Sequence, residues 1–596
     1  MTLQAVDWGI IAGFFLISLI IGISVTRRAG ANTTEFFASG RSMPWWLLGI
    51  SMVATTFSAD TPNLVTDLVR QHGVSGNWVW WAFLLSGMVT VFIYAKLWRR
   101  SGVLTDIEFY EFRYSGRTAA FLRGFRAFYL GVFFNVMIMA AVLLAGIKIG
   151  GVILGITPLQ TVALTSIIVV IYTMLGGLRG VLLTDLVQFT IAMIGSIAAA
   201  VVVLNLPQIG SLENLVTHPA LQNSISILPD FSDSSLLVTV FIIPLAVLWW
   251  SVWYPGSEPG GGGYVAQRML AAKDESNAVG ATLFFNVAHY ALRPWPWIII
   301  ALSSIIIFPD LASLQKAFPN VDPGIVRHDM AYPAMLTYLP AGLLGLVIAS
   351  LIAALMSTIS THLNWGSSYM VNDFYSRFLR RNPSQKEQVF IGRLSIIILM
   401  LIASLVALLL SNALQAFKIL LQIGAGTGLL FLLRWFWWRI NAASEIAAMT
   451  ISFLVAVYFE FVHSPLGFAA LADWQKLVIG IIITTVGWVS VTLVTKPTDQ
   501  KVLLNFYRKI RPGGPGWKKV LQTAVEQGED VSALTAEQWD VPRSLLKVLF
   551  GLFFIYGTLF ATGFWLYANY VAAVIATLVA AISGGILLKL WRKNQS

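Results

Sequence analysis

The stretch AALMSTISTHLN, Ala353 to Asn364, places small and hydroxyl side chains in the middle of an apolar run long enough to cross a membrane. At helical spacing Ala354, Ser357, Thr358 and Thr361 share one face, and Ser360 lies on the adjoining stripe. Neutral oxygens in that pattern suit a hard cation such as sodium, which needs neither thiolate nor imidazole. The same residue types also let membrane helices approach closely or bond to their own carbonyls, so this stretch alone leaves both readings open.

Outward from it, the rest of the chain is built of similar apolar runs. The sequence is 57% hydrophobic and only 11% charged, and its mean hydropathy is +0.76. That balance belongs to a polytopic membrane protein of all-α class. Fifteen runs read as membrane-spanning helices, at 7–26, 45–69, 77–98, 125–150, 157–176, 181–204, 236–255, 279–308, 331–361, 389–411, 414–434, 441–462, 475–495, 546–566 and 569–590. Each is near the length needed to span a hydrocarbon core about 30 Å thick.

Most of the 39 basic residues fall in alternate loops, notably Lys96 to Arg126, Arg377 to Arg393 and Lys496 to Lys547. Lys and Arg are retained on the cytoplasmic side, so this bias predicts an external N-terminus and a cytoplasmic C-terminus in the plasma membrane, the inner membrane if the source is bacterial. The net charge of +11 is then a record of topology and implies no nucleic-acid partner. The first run lacks a basic leader and reads as a retained span. With no cysteine, disulfides and thiolate metal sites are excluded, and the six histidines show no metal-ligand spacing. Neither a phosphate-binding loop nor a nucleophile elbow occurs, so neither an ATP-driven pump nor an enzyme is expected.

A second polar interruption lies in WWLLGISMVATTFSADTPNLVTDLVR, Trp45 to Arg70. Pro62 has no amide hydrogen, so the Ser58 carbonyl loses its helical donor, while the surrounding Ser and Thr side chains compete for backbone groups. A break is expected there, with freed carbonyls able to face a cation. Asp60 puts an ionisable group at membrane depth, either as a functional group or as a neutral or paired structural one.

Further along, LWWSVWYPGSEPGGGGYVAQ (Leu248 to Gln267) must end a helix at its prolines and glycines. Glu258 and Trp253 there are candidate solute contacts, unless the segment is only a loop. In HYALRPWPW, Arg293 needs an anionic partner, from Asp60, Glu258 or a solute carboxylate, whereas Trp80 and Trp81 suit stacking on a sugar face.

GRSMPWW (Gly40 to Trp46), SMVATTFSAD, LGGLRGVLLTDLVQF (Leu175 to Phe189), YVAQRMLAAKD (Tyr264 to Asp274), and AALMSTISTHLN followed by NDFYSRF (Asn372 to Phe378) together resemble the sodium:solute symporter family over roughly residues 1–495. The resemblance implies a sodium-coupled carrier with a five-plus-five inverted repeat of the leucine-transporter type, preceded by one helix and followed by several. Its core would run from about 45 to 434. It further implies a sodium site made by the backbone carbonyls of Ala54, Phe57 and Ala354 with the hydroxyls of Ser357 and Thr358. A second sodium site, present in some members, would use Asp185 with Ser357, Ser360 and Thr361. The competing account of Asp185 is a cap or salt bridge near Arg179.

The expected organisation is a transporter domain over 1–495, a cytoplasmic segment over 496–545 that includes the helix-like TAEQWDVPRSLLKVL, and two further spans over 546–596. The expected partners are a small polar solute (sugar, amino acid or organic acid), one or two sodium ions and the bilayer, with the oligomeric state unassigned. The rival reading is a solute sensor that signals through the segment after 495 without transport.

Overall fold

Eleven helices among the described residues are long and apolar enough to cross a membrane. The computed structural model describes residues 3–29, 32–251, 258–319, 321, 323–410, 424, 426–531 and 539–592. Its main elements are α1 (Ala5–Ala29), α2 (Trp45–Thr56), α3 (Asp60–His72), α4 (Val74–Ser101), α5 (Gly116–Ile149), α6 (Pro158–Leu204), α7 (Ser234–Ala246), α8 (Gly263–Ala271), α9 (Glu275–Ile307) and α10 (Leu343–Leu379). They continue with α11 (Gln385–Leu409), α12 (Ala442–Val462), α13 (Asp473–Val494), α14 (Gln500–Ile510), α15 (Lys518–Glu526), α16 (Val541–Leu566) and α17 (Tyr570–Arg592). The one extended pairing among the described residues is a parallel bridge between Met43 and Ala272.

The two runs expected at 157–176 and 181–204 are the two limbs of α6. Thr157 and Gln160 cap its start reciprocally, with Pro158 in the first turn, where a missing amide hydrogen costs nothing. The helix folds back at Gly177, whose φ of 53° and ψ of −160° lie where a Cβ is not tolerated. The reversal is visible in how both limbs lie along α10. In the first limb Thr161 to Ile168 share a cavity with Ile348 to Leu355, and Tyr172 reaches the Met356 carbonyl. In the second limb Asp185 meets Ser357, and a Cβ at Gly195 would touch Val347 and Ser350.

α10 is the central element, with nearly every side chain from Leu344 to Ser368 buried. The outer helices differ. Val571, Ile575, Leu578 and Ile582 of α17 are exposed along one face, while the small residues Ala573, Ala576 and Ala580 are buried. Gly557 of α16 lets the two backbones approach at Ala580. An apolar exposed face opposite a small-residue packing face is what lipid on one side and protein on the other require.

Two expectations are corrected. The run 331–361 is not one helix: Ala331–Leu336 is a separate short helix, and α10 starts after Pro340 and Gly342, whose φ is 85°. α10 then continues to Leu379, so the hydroxyl stretch sits deep within it. Within the expected TAEQWDVPRSLLKVL helix, Trp539 and Asp540 are not helical, and Val541, with Pro542 in the first turn, starts α16, which runs on to Leu566; residues 532–538 lie outside the described part. The segment after 495 packs on the helices before it. Trp517 is buried and its indole donates to the Trp435 carbonyl at 3.0 Å, while Arg113 lies over the rings of Phe506 and Trp517. The expected span 414–434 lies largely outside the described residues, with Gly428–Leu433 helical at its end.

Candidate functional site

The expected break is present. α2 ends at Thr56 and α3 begins at Asp60. The Phe57 amide turns back to the carbonyls of Val53 and Ala54, at 2.8 and 3.1 Å. The Ser58 carbonyl, deprived of its helical donor by Pro62, accepts from the Thr61 amide at 3.1 Å, and the Thr61 hydroxyl bonds the Thr56 carbonyl at 3.0 Å. Short-range bonds of this kind satisfy backbone groups that water cannot reach.

The hydroxyl face of α10 closes on this break. Thr358 donates to the carbonyls of Thr55 (2.9 Å) and Ala354 (3.1 Å), and the hydroxyls of Thr55 and Thr361 lie 3.2 Å apart. Two stretches some 300 residues apart in sequence are thereby joined through neutral oxygens. The second limb of α6 supplies the charge: Asp185 accepts from Ser357 at 2.6 Å and from Ser51 at 2.5 Å. Ser360 bonds the Ser357 carbonyl at 3.0 Å. The residues expected for both sodium sites are therefore gathered at the meeting of α2, α6 and α10, all buried. Carbonyl and hydroxyl oxygens with one nearby carboxylate form a donor set suited to an alkali cation. No cluster of three His, Cys, Asp or Glu side chains suited to a transition metal occurs among the described residues.

Arg268 of α8 is a member of this site that sequence reasoning missed. It is wholly buried, donates to Thr361 at 2.8 Å and to Ser51 at 3.2 Å, and lies 4.0 Å from Asp185. The charge partner of Asp185 is thus Arg268 and not Arg179. The signal was available, since an arginine inside an apolar segment needs a buried counter-charge, but only the fold shows which carboxylate provides it.

The solute candidates separate into two environments. Arg293 of α9 donates to the Val53 carbonyl at 3.3 Å and to the Thr56 hydroxyl at 3.1 Å, and lies over the Trp297 ring. His289 faces the same Thr56 hydroxyl at 3.1 Å. Asp60 interacts with Arg293 electrostatically, but the two form no ion pair within 4.0 Å. Trp80 of α4 packs on His289 and Tyr290, so Asp60, Trp80 and Arg293 all belong to the surroundings of the break. Glu258 does not share that environment: its carboxylate is committed to Arg126 of α5 and lies 3.8 Å from Arg434. Trp253 lies outside the described residues.

Comparison with known proteins gives a consistent picture. The model of the sodium:solute symporter family matches residues 36–452. The chain is 24% identical over 483 residues to a sodium/glucose cotransporter of Vibrio parahaemolyticus, covering 78% of this chain and 87% of that one. It is 25% identical to a sodium/sialic acid symporter of Proteus mirabilis, covering 76% and 89%. Among solved structures, a substrate-bound, outward-open Na+-coupled sialic acid symporter superposes with a TM-score of 0.68 at 21% identity, over 83% of this chain and 99% of that one; at that identity the likeness is one of fold.

Proposed function

The chain belongs to the sodium:solute symporter family, and from that premise we propose how its own residues couple sodium to solute. The family is one of carriers and not of enzymes, and sodium is the coupling ion. The sensor reading loses its main attraction, because the segment after 495 is packed into the fold through Trp517 and Phe506.

Sodium binds where α10 meets the break, held by the carbonyls of Ala54, Phe57 and Ala354 and the hydroxyls of Ser357 and Thr358. A second sodium, if the carrier uses two, takes Asp185, Ser357, Ser360 and Thr361, and displaces Arg268 from Thr361 as it does so. The solute, a small polar organic molecule, sits beside the break against Asp60, Trp80 and Arg293. Sodium draws α10 and α2 together and so favours the state that receives solute. Its release inside lets the two repeats, spans two to six and seven to eleven, rock to the other side. The membrane potential supplies about 2.3 kcal/mol per charge for each 100 mV, enough for one or two sodium ions to concentrate a neutral solute. In this reading the carrier lies in the plasma membrane with its N-terminus outside and C-terminus inside. Residues 1–495 form the transporter unit, 496–545 a cytoplasmic brace and 546–596 an added helix pair.

The observation that carries the reading is the bond from Thr358 to the carbonyl of Thr55, which ties the hydroxyl face to the broken helix. Radiolabelled sodium binding to purified wild type and to a Ser357→Ala, Thr358→Ala double variant tests it. Saturable binding in wild type that weakens at least tenfold in the folded variant is expected; equal binding in both sinks the site.

A further inference from the structure

We propose that the solute is a zwitterion whose ammonium group rests on Asp60 and whose carboxylate rests on Arg293. The proposal rests on the reading that solute binds at the break.

The two charges are fixed by the ends of the broken helix. The C-terminus of α2 carries partial negative charge, and Arg293 sits on it through the Val53 carbonyl and the Thr56 hydroxyl. The N-terminus of α3 carries partial positive charge, and Asp60 is its first residue. Each group therefore lies against a helix end of opposite partial charge. Neither is satisfied by that contact. Oδ1 of Asp60 and Nε of Arg293 are both buried without a hydrogen-bond partner, and Arg293 is only 1% exposed.

Two opposite charges in a low-dielectric setting gain strongly by joining, yet these do not join. Held apart, they present a dipole across the break whose complement is a molecule with a cationic and an anionic end. One turn along α3, on the same face as Asp60, both amide atoms of Asn63 are also buried and unpartnered. These add neutral donors and acceptors beside the carboxylate. On the Arg293 side, His289 is occupied with Thr56, and Trp80 and Tyr290 supply an aromatic wall. A neutral polyol would leave both charges uncompensated. A simple anion would face Asp60, and a simple amine would face Arg293.

Sodium-driven flux in proteoliposomes of the full chain tests this with four probe sets: neutral L-amino acids, their 2-hydroxy acid analogues, the matching primary amines, and hexoses. Radiolabelled sodium uptake should be stimulated best by the amino acids, with half-saturation at least tenfold below that of any other set that stimulates at all. Asp60→Asn should abolish the preference for amino acid over hydroxy acid, and Arg293→Gln the preference for amino acid over amine. Each variant is checked by sodium binding in the absence of solute, which should persist.

Stimulation by hexoses, hydroxy acids or amines at equal or lower concentration overturns the zwitterion while leaving the solute site at the break in place, provided the two variants still alter the response. If hexoses stimulate and neither variant changes that response, the site itself lies elsewhere. An absence of any response to the amino acids overturns the proposal as well.

Discussion

Glu258 and Asp60 are both carboxylates at the discontinuities of broken segments, and their surroundings are opposite. Glu258 is gripped by Arg126 and approached by Arg434, which in turn lies 3.5 Å from Glu445, itself bonded by Tyr114. Asp60 keeps a buried oxygen unpartnered and faces Arg293 without touching it. Charges joined to one another hold helices together, whereas Asp60 and Arg293 are opposite charges that form no ion pair. The contrast separates charges that pair with one another from charges held apart, and it supports the solute site proposed at the break.

The contrast can be broken most decisively at Glu258. Replacing it with Gln leaves Arg126 and Arg434 short of a counter-charge in a buried setting, and a loss of about 3–5 kcal/mol is expected, read as a large fall in thermal unfolding temperature of the purified protein. A Glu258→Gln protein as stable as wild type would show that the network is not a clamp. A comparable but smaller loss, about 3 kcal/mol, is expected for Trp517→Ala, which empties a buried indole site between the C-terminal segment and the core. If Trp517→Ala unfolds like wild type, the segment after 495 is not a brace.

Asp60→Asn should do the reverse of Glu258→Gln. Because its carboxylate has no ion-pair partner to lose, the stability change should stay within about 1 kcal/mol while solute recognition suffers. A loss as large as that of Glu258→Gln would mean that Asp60 is a structural charge after all, and the comparison would collapse.

The smallest effect expected concerns a carboxylate at the loop end of the molecule. Burial opposes ionisation of Glu111, but hydrogen bonds and charge from Arg377 and Arg123 outweigh it and hold its carboxyl below the usual glutamate value. A depressed folded-state value means that the contribution is present above the ordinary glutamate range, about 4.3, and fades as pH falls through the lower folded value. Thermal stability measured across that range should fall more steeply in wild type than in Glu111→Gln; parallel curves would remove the Glu111 contribution.

The legibility of the molecule in its sequence was uneven for identifiable reasons. The break and the hydroxyl stretch could be read because Asp60, Pro62 and the run Ser357 to Thr361 stand against apolar spans, where any polar group has to be explained. The start of α10 was misplaced because Ala331 to Ala354 carries no charged side chain, and Pro340 with Gly342 interrupts it without a marked change in hydropathy. The assignment of Glu258 to Arg126 and Arg434 was out of reach, since those residues lie in three segments that periodicity cannot bring together. Arg268 was visible as a buried charge in an apolar segment, yet nothing in its spacing points to Asp185.

By itself the chain's pattern of apolar runs and basic loops determined a helical membrane protein, and the position of its hydroxyls and prolines determined where a helix would break and what kind of ion would suit it. Both are local consequences of hydropathy and backbone hydrogen bonding, which depend on neighbours along the chain. Which charges are paired and which are left apart was decided only by tertiary structure. Pairing depends on the last few ångströms between helices, and in a low-dielectric interior that distance turns the same aspartate from a clamp into a binding group.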